Sequence, residues 1–339
     1  MPFDYDAYLQ LTPGIKMCRI INGMWQVSGG HGVINSRSAV YSMFAYHEAG
    51  FTTWDLADHY GPAEDFIGQF RRQLAINKGE KEVWQTQAFT KWVPRPGVMT
   101  RKIVEDNINI SLRRMGVHAL DMLQFHWWDY SDNNYLEALK YLAELQYEGK
   151  IRLLSLTNFD TAHLQIILDK GIKIATNQVQ FSPVDMRPLE EMAQFCADND
   201  INLLTYGTVC GGLLSDRYLN QSEPGGTALN TVSLRKYKQM VDGWGGWQLF
   251  QQLLRTFKHI ANKHNVSIPN VAMRFILNQT AVGGVIVGAR LGITEHIEDN
   301  ARVFKLKLDR EDESAIQEVL SKSNNLYQLI GDCGAEYRR

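Results

Sequence analysis

Apolar and polar positions along this chain follow two periods, and the way the two alternate sets the fold expectation. Short runs rich in β-branched and aromatic residues at 19–24, 52–55, 83–90, 121–126, 151–156, 174–179, 202–206 and 284–288 predict eight strands. Between them, at 36–49, 63–74, 100–115, 135–147, 162–169 and 189–198, apolar residues recur at three- and four-residue steps, the spacing of one helix face. Gly50, Gly116 and Gly149 follow three of these stretches, as expected at helix C-termini. Runs without polar alternation, such as 153–156, suit a sheet covered on both faces.

Strand and helix in succession predict parallel strands joined by crossovers. Eight such units predict one α/β domain over 1–339, a (β/α)8 TIM barrel. A helix at 309–321 lies outside the eightfold count as an extra C-terminal element, and 253–279 reads as two helices broken near 266–269. The long loop at about 207–246 follows predicted strand seven, on the face where barrels keep their sites, and loops of that length are usually functional or mobile. A doubly wound sheet would place G-x-G-x-x-G straight after a strand; the Gly29-Gly30-His31-Gly32 run has a different spacing.

Composition narrows the partners. Lys plus Arg (35) nearly cancel Asp plus Glu (37), so no broad field draws in nucleic acid or an acidic membrane. No apolar run approaches the length that spans a bilayer, and the first residues carry acids rather than a basic signal region. Cys18, Cys196, Cys210 and Cys333 form no C-x-x-C pair, which speaks against zinc and against a disulfide framework. His31 and His59 read as loop residues without metal-ligand spacing. The expectation is a cytoplasmic protein that acts on a small molecule, binds no metal, and is a monomer or weak homo-oligomer.

In a parallel barrel the C-terminal strand ends converge on one face. Predicted strand two ends at Asp55 with Tyr60 beyond it, strand three leads to Lys91, and strand four ends at His126. This set suits carbonyl reduction, in which a hydride arriving at carbon leaves charge on oxygen that needs a proton donor and a polarising hydrogen bond. Tyr60 is the expected donor, Lys91 the cation expected to lower its pKa, Asp55 the carboxylate that holds Lys91, and His126 the group that orients the substrate oxygen.

The same residues resemble the aldo-keto reductase superfamily. Its pattern of Asp, Tyr-Gly, Glu and Gly is met by Asp55, Tyr60, Gly61, Glu64 and Gly68, and Lys91 and His126 match its other two catalytic positions, with 18–306 aligning in order. The resemblance implies NADP as cofactor, with NAD possible. It implies that Met24 and Trp25 lie beside the nicotinamide, Asn158 and Gln178 hold its carboxamide, and Tyr206 stacks on the ring. Thr157 stands where the family usually has serine. Gly288, Ala289 and Arg290 match the phosphate segment, His296 stands where many NADP-preferring members have a second arginine, and Asp299 and Asn300 match the adenine positions.

Trp25, Trp92 and Trp127 each adjoin a cofactor or catalytic residue and are expected to line the pocket mouth. The resemblance also covers an alternative, a cofactor-binding regulatory subunit of the potassium-channel β type. A Schiff base on Lys91 is a further reading of the bare residues, opposed by the cofactor segment.

Overall fold

Two antiparallel strands, β1 (Tyr8–Thr12) and β2 (Ile15–Cys18), lead into eight parallel ones in the computed structural model, which describes residues 3–29, 34–293 and 295–338. The eight are β3 (Ile20–Gly23), β4 (Thr53–Asp55), β5 (Gln87–Trp92), β6 (Leu120–His126), β7 (Ile151–Thr157), β8 (Thr176–Gln180), β9 (Asn202–Tyr206) and β10 (Val282–Gly288). They pair in that order, and β10 returns to β3 to close the barrel. Helices Ser36–Glu48, Ala63–Lys78, Arg101–Met115, Asn134–Tyr147, Thr161–Asp169 and Met192–Asp198 correspond to the six predicted amphipathic stretches.

Period-two alternation divides each barrel strand between two environments. Outward residues such as Ile20, Trp54, Ala88, Leu123, Leu154, Leu203 and Val285 join the large core under the helices. Inward ones, Ile21, Phe89, Met122 and Leu204 with Leu153 and Ile286 against them, form a second cluster inside the barrel. Ile15 and Met17 of the β1–β2 hairpin complete that cluster and plug the lower end. The hairpin, turned at Pro13-Gly14, is an addition to the predicted elements.

Three other differences have local causes. The run at 83–90 is a strand only from Gln87. Residues Glu80–Gln85 form a short helix with Glu80 and Glu82 in its first turn, where acids favour the helix dipole. The 207–246 stretch contains a helix, Val232–Trp244, whose N-terminus is capped by Thr231 Oγ1 accepting from the Leu234 N–H at 3.1 Å. The two helices expected within 253–279 are Gly246–His264 and Ile268–Leu277, separated at Ser267, which caps the second; the first begins seven residues before position 253.

The extra helix is Arg310–Leu320 with Asp309 as its cap. Beyond helix Leu326–Ile330, residues 331–338 cross the C-terminal mouth of the barrel, a course the periodicity did not indicate. No helix among the described residues is long and apolar enough to cross a membrane. All four cysteines are buried and unpaired with one another.

Candidate active site

Inward parity brings the predicted residues together. Asp55, Lys91 and His126 end β4, β5 and β6 on the barrel's inner face, all nearly inaccessible to solvent. Lys91 Nζ donates to both Asp55 oxygens, at 2.7 and 2.6 Å, and to the Leu56 carbonyl at 2.9 Å. The same ammonium lies 5.0 Å from the centre of the Tyr60 ring. Glu64 is buried and accepts from Thr90 Oγ1 at 2.7 Å and Arg114 at 3.3 Å, tying the helix after Tyr60 to the barrel. Gly68 lets that helix approach the end of Arg101–Met115, since a Cβ there would sit 2.4 Å from the Arg114 carbonyl oxygen.

Two amides extend the Asp55 network. Gln124 Nε2 donates to Asp55 Oδ1 at 2.9 Å, and Gln178 Nε2 donates to the same oxygen at 2.6 Å and to Gln124 Oε1 at 2.7 Å. Gln178 thus meets the carboxylate directly, and Gln124, an inward residue two before His126, is a member of the site that motif matching passed over.

The charge states differ from expectation at Tyr60. Burial raises its hydroxyl well above 10, and Asp55, Tyr337 and Asp58 push the same way. The ammonium of Lys91 is engaged with Asp55, so its field at the phenol is largely cancelled. Lys91 itself is lowered by burial, with Asp55 opposing.

Burial, then Arg338, His59 and Lys91, lower the His126 imidazole to about 3. Its buried Nε2 makes no hydrogen bond among the described residues. Below its ordinary value of 6.5 the unfolded chain takes up a proton that the native ring refuses, so stability falls as pH drops from 6.5 towards about 3. His126→Gln is expected to flatten the pH dependence of the urea midpoint between pH 6.5 and 4. An unaltered slope would show that other groups set it.

The cofactor-type residues divide. Met24 is buried, with its N–H on the Asp55 carbonyl at 2.9 Å, and Trp25 begins a half-buried turn beside it. Thr157 points inward with Oγ1 buried and unbonded among the described residues. Asn158, at φ 58°, accepts from the Tyr206 hydroxyl at 2.8 Å. Gly288 and Arg290 are exposed, as is His296. The Ala289 N–H, expected to face phosphate, instead donates to the Gly23 carbonyl at 2.8 Å, because the β10–β3 ladder runs one residue further than the strand. Asp299 accepts from Ser267 Oγ at 2.7 Å and Asn300 is buried, both on helix Ile297–Arg302.

Two of the three expected pocket tryptophans are corrected by strand parity. Lys91 and His126 point inward, so Trp92 and Trp127 point outward into the helix layer, each within 6 Å of the Phe125 ring centre. Trp127 Nε1 is bound to the Asp129 and Asp132 carbonyls. Trp128 returns to the mouth, its ring centre 4.4 Å from His126, and Tyr337 faces both. His59 is exposed and hydrogen-bonds Asp58 at 2.8 Å, whereas His31 lies outside the described residues. Among the described residues His264, Asp309 and Asp312 could together ligate a cation, but Lys263 bonds both carboxylates and already supplies the positive charge.

The barrel brings Asp55, Lys91 and His126 together at its C-terminal strand ends, with Tyr60 beside Lys91. The model of the aldo/keto reductase family matches residues 19–321, and the chain belongs to that family. Among curated relatives, the NADH-specific methylglyoxal reductase of Escherichia coli (strain K12) is 24% identical over 330 residues, covering 91% of this chain and 96% of the relative. The chloroplastic pyridoxal reductase of Arabidopsis thaliana is 24% identical over 289 residues, covering 81% of this chain and 74% of the relative. The solved glycerol dehydrogenase of Gluconobacter oxydans superposes with a TM-score of 0.78 at 21% identity, covering 94% of this chain and 96% of that one. An aldo/keto reductase from Klebsiella pneumoniae, solved with NADP and acetate, gives 0.67 at 20% identity, covering 90% and 92%.

Proposed function

We propose that this chain reduces aldehyde or ketone carbonyls reversibly with NADP(H), Tyr60 giving the proton. The observation that carries the proposal is the inward Asp55–Lys91 pair with Tyr60 over Lys91 and neutral His126 on the next strand. A bound nicotinamide supplies the hydride. His126 Nε2, buried and unbonded among the described residues, is available to a substrate oxygen, and the raised Tyr60 hydroxyl holds its proton throughout the neutral range. Asp55 keeps Lys91 charged and fixed in a site that burial would otherwise discharge.

The mouth suits a dinucleotide on three counts. Asn158, just beyond β7, donates its N–H to the Gln178 carbonyl of β8 at 2.8 Å, Thr157 adds a buried hydroxyl unbonded among the described residues, and Arg290 lies exposed beyond β10. The relatives' names cover both cofactors, one NADH-specific and one solved with NADP. Arg290 is assigned to the 2′-phosphate, which a guanidinium can grip bidentately. Arg290→Ala is expected to raise KM for NADPH roughly tenfold or more, the loss of a charge-assisted pair, while KM for NADH moves little. Equal changes for both would remove Arg290 from that role. Trp25, Trp128 and Tyr337 give the substrate side an aromatic wall, which favours aromatic and apolar carbonyls. Purified protein should oxidise NADPH when 4-nitrobenzaldehyde is added; absence of turnover with either dinucleotide across a carbonyl panel would overturn the proposal.

A further inference from the structure

Residues 331–338 are built into the mouth of the barrel. Arg187, buried and paired bidentately with Asp185 at 2.8 Å on each nitrogen, turns its remaining nitrogen to the Gly331 and Asp332 carbonyls and to Glu336 at 3.0 Å. Asp332 accepts from the Thr161 N–H at 2.7 Å. Arg338 donates to the Trp127 carbonyl at 2.8 Å and lies 3.8 Å over the Tyr130 ring. These anchors set the Tyr337 ring against His126 and Trp128, with ring centres 6.3 and 6.0 Å away.

A cation is set into this aromatic wall. Lys236, on the helix Val232–Trp244, donates from Nζ to Tyr337 Oη, and its ammonium lies 4.4, 5.1 and 5.4 Å from the ring centres of Tyr337, Tyr206 and Tyr237. Ring faces attract an ammonium but do not neutralise it. Lys238, two positions on, is held by Glu223 and Asp242 at 2.5 Å each, whereas no carboxylate among the described residues pairs with Lys236. Glu336 is the acid that its charge reaches, and that carboxylate is already bonded to Arg187. An ammonium carries three hydrogens, and Tyr337 Oη takes one of them.

Tyr337 also borders the reacting end of the pocket. It is one of the groups that act on the Tyr60 hydroxyl, and it faces His126, whose buried Nε2 makes no hydrogen bond among the described residues. The acids around the mouth are engaged by their own cations, Asp55 by Lys91 and both Asp185 and Glu336 by Arg187. Arg338 adds a positive charge that reaches His126. A substrate therefore meets aromatic faces, a carbonyl-binding end at His126 and Tyr60, and an ammonium beside Tyr337 with hydrogens to give. A carboxylate brings one negative charge and two acceptor oxygens, the complement of that ammonium.

We propose that Lys236 is a specificity-determining residue that binds a carboxylate on the substrate, so that the preferred substrates are aromatic carbonyl compounds carrying an acid group. This rests on the reading that the chain reduces carbonyls. The carboxylate takes up hydrogens of Lys236 Nζ while the carbonyl oxygen lies at His126 and Tyr60, and the ring between them packs on Trp128 and Tyr337.

The test compares 2-, 3- and 4-carboxybenzaldehyde with their methyl esters, which keep the ring and the aldehyde but lack the charge, in NADPH-linked reduction, or NADH-linked if NADH binds more tightly. At least one acid is expected to have a KM roughly tenfold below that of its ester, the scale of one charge-assisted hydrogen bond. Lys236→Met, which keeps the length of the side chain, should abolish the difference, and Lys236→Arg, which keeps the charge, should preserve most of it. Equal KM values for every acid and its ester, or a preference for the acid that survives in Lys236→Met, would overturn the proposal. If no aldehyde of the set is turned over, the reduction reading falls, and equilibrium binding of benzoate and benzamide, followed by tryptophan fluorescence, decides the site by itself. Benzoate bound roughly tenfold more tightly than benzamide, with the preference lost in Lys236→Met, is the expected result. No preference, or one that does not depend on Lys236, overturns the proposal in that case too.

Discussion

Replacing Tyr60 by phenylalanine is expected to lower kcat for NADPH-linked reduction of 4-nitrobenzaldehyde by roughly 10²–10⁴-fold, the usual contribution of a positioned general acid. KM for NADPH should stay near its original value, because the hydroxyl acts on the carbonyl oxygen and not on the dinucleotide. The surroundings of Tyr60 also specify a pH profile. Burial, with Asp55, Tyr337 and Asp58 adding to it, raises the phenol well above 10, so the donor is loaded at every pH at which the fold is used. Reduction should therefore hold a plateau from about pH 6 to 9, since a donor with ordinary or raised pKa loses nothing there. The expectation drawn from residue types was different, a phenol lowered by its lysine. Lys91 is close enough to do so at 5.0 Å from the ring, but three hydrogen bonds bind it to Asp55 and Leu56. A fall in reduction rate setting in near pH 7 would show that Lys91 lowers Tyr60 after all, and an undiminished kcat in Tyr60→Phe would remove Tyr60 from the chemistry.

The barrel was legible because two periods in the sequence, two and about 3.6, correspond to two physical surfaces, and each of the eight apolar runs overlaps a strand of the barrel. The same period of two contained information that residue-by-residue matching to a motif left unused. Neighbours of catalytic residues on a strand face the opposite way, which sends Trp92 and Trp127 into the helix layer and brings Gln124 and Trp128 to the mouth. Parity applied from Lys91 and His126 would have found both.

Other features had no such signal. The Tyr8–Thr12 and Ile15–Cys18 strands are short, and that they plug the barrel follows from tertiary packing against Phe89, Met122 and Leu204. The role of residues 331–338 depends on Arg187 meeting Glu336 across about 150 positions of chain, a pairing that no local pattern encodes. The Ala289 N–H was misassigned for a related reason: whether a backbone donor is free depends on how far a ladder extends, and this one extends to Gly23.

Lys91→Met should cost about 3–5 kcal/mol of stability, read as a lower urea midpoint at pH 7, because it leaves a buried carboxylate without its cation. Asp55 is 4% exposed. The amides of Gln124 and Gln178 each donate to Oδ1, which places the expected loss nearer the lower figure, but they carry no net charge. The double variant Asp55→Asn with Lys91→Met removes both charges and should recover much of the loss, since desolvation of two ions disappears along with their attraction. The two variants also separate stability from function. In the double variant the fold returns, yet nothing cationic lies beneath Tyr60 and the Gln178 amide no longer meets a pure acceptor, so dinucleotide binding should remain weak while the urea midpoint recovers. Recovery of both together would mean that Asp55 and Lys91 act on the site through stability alone.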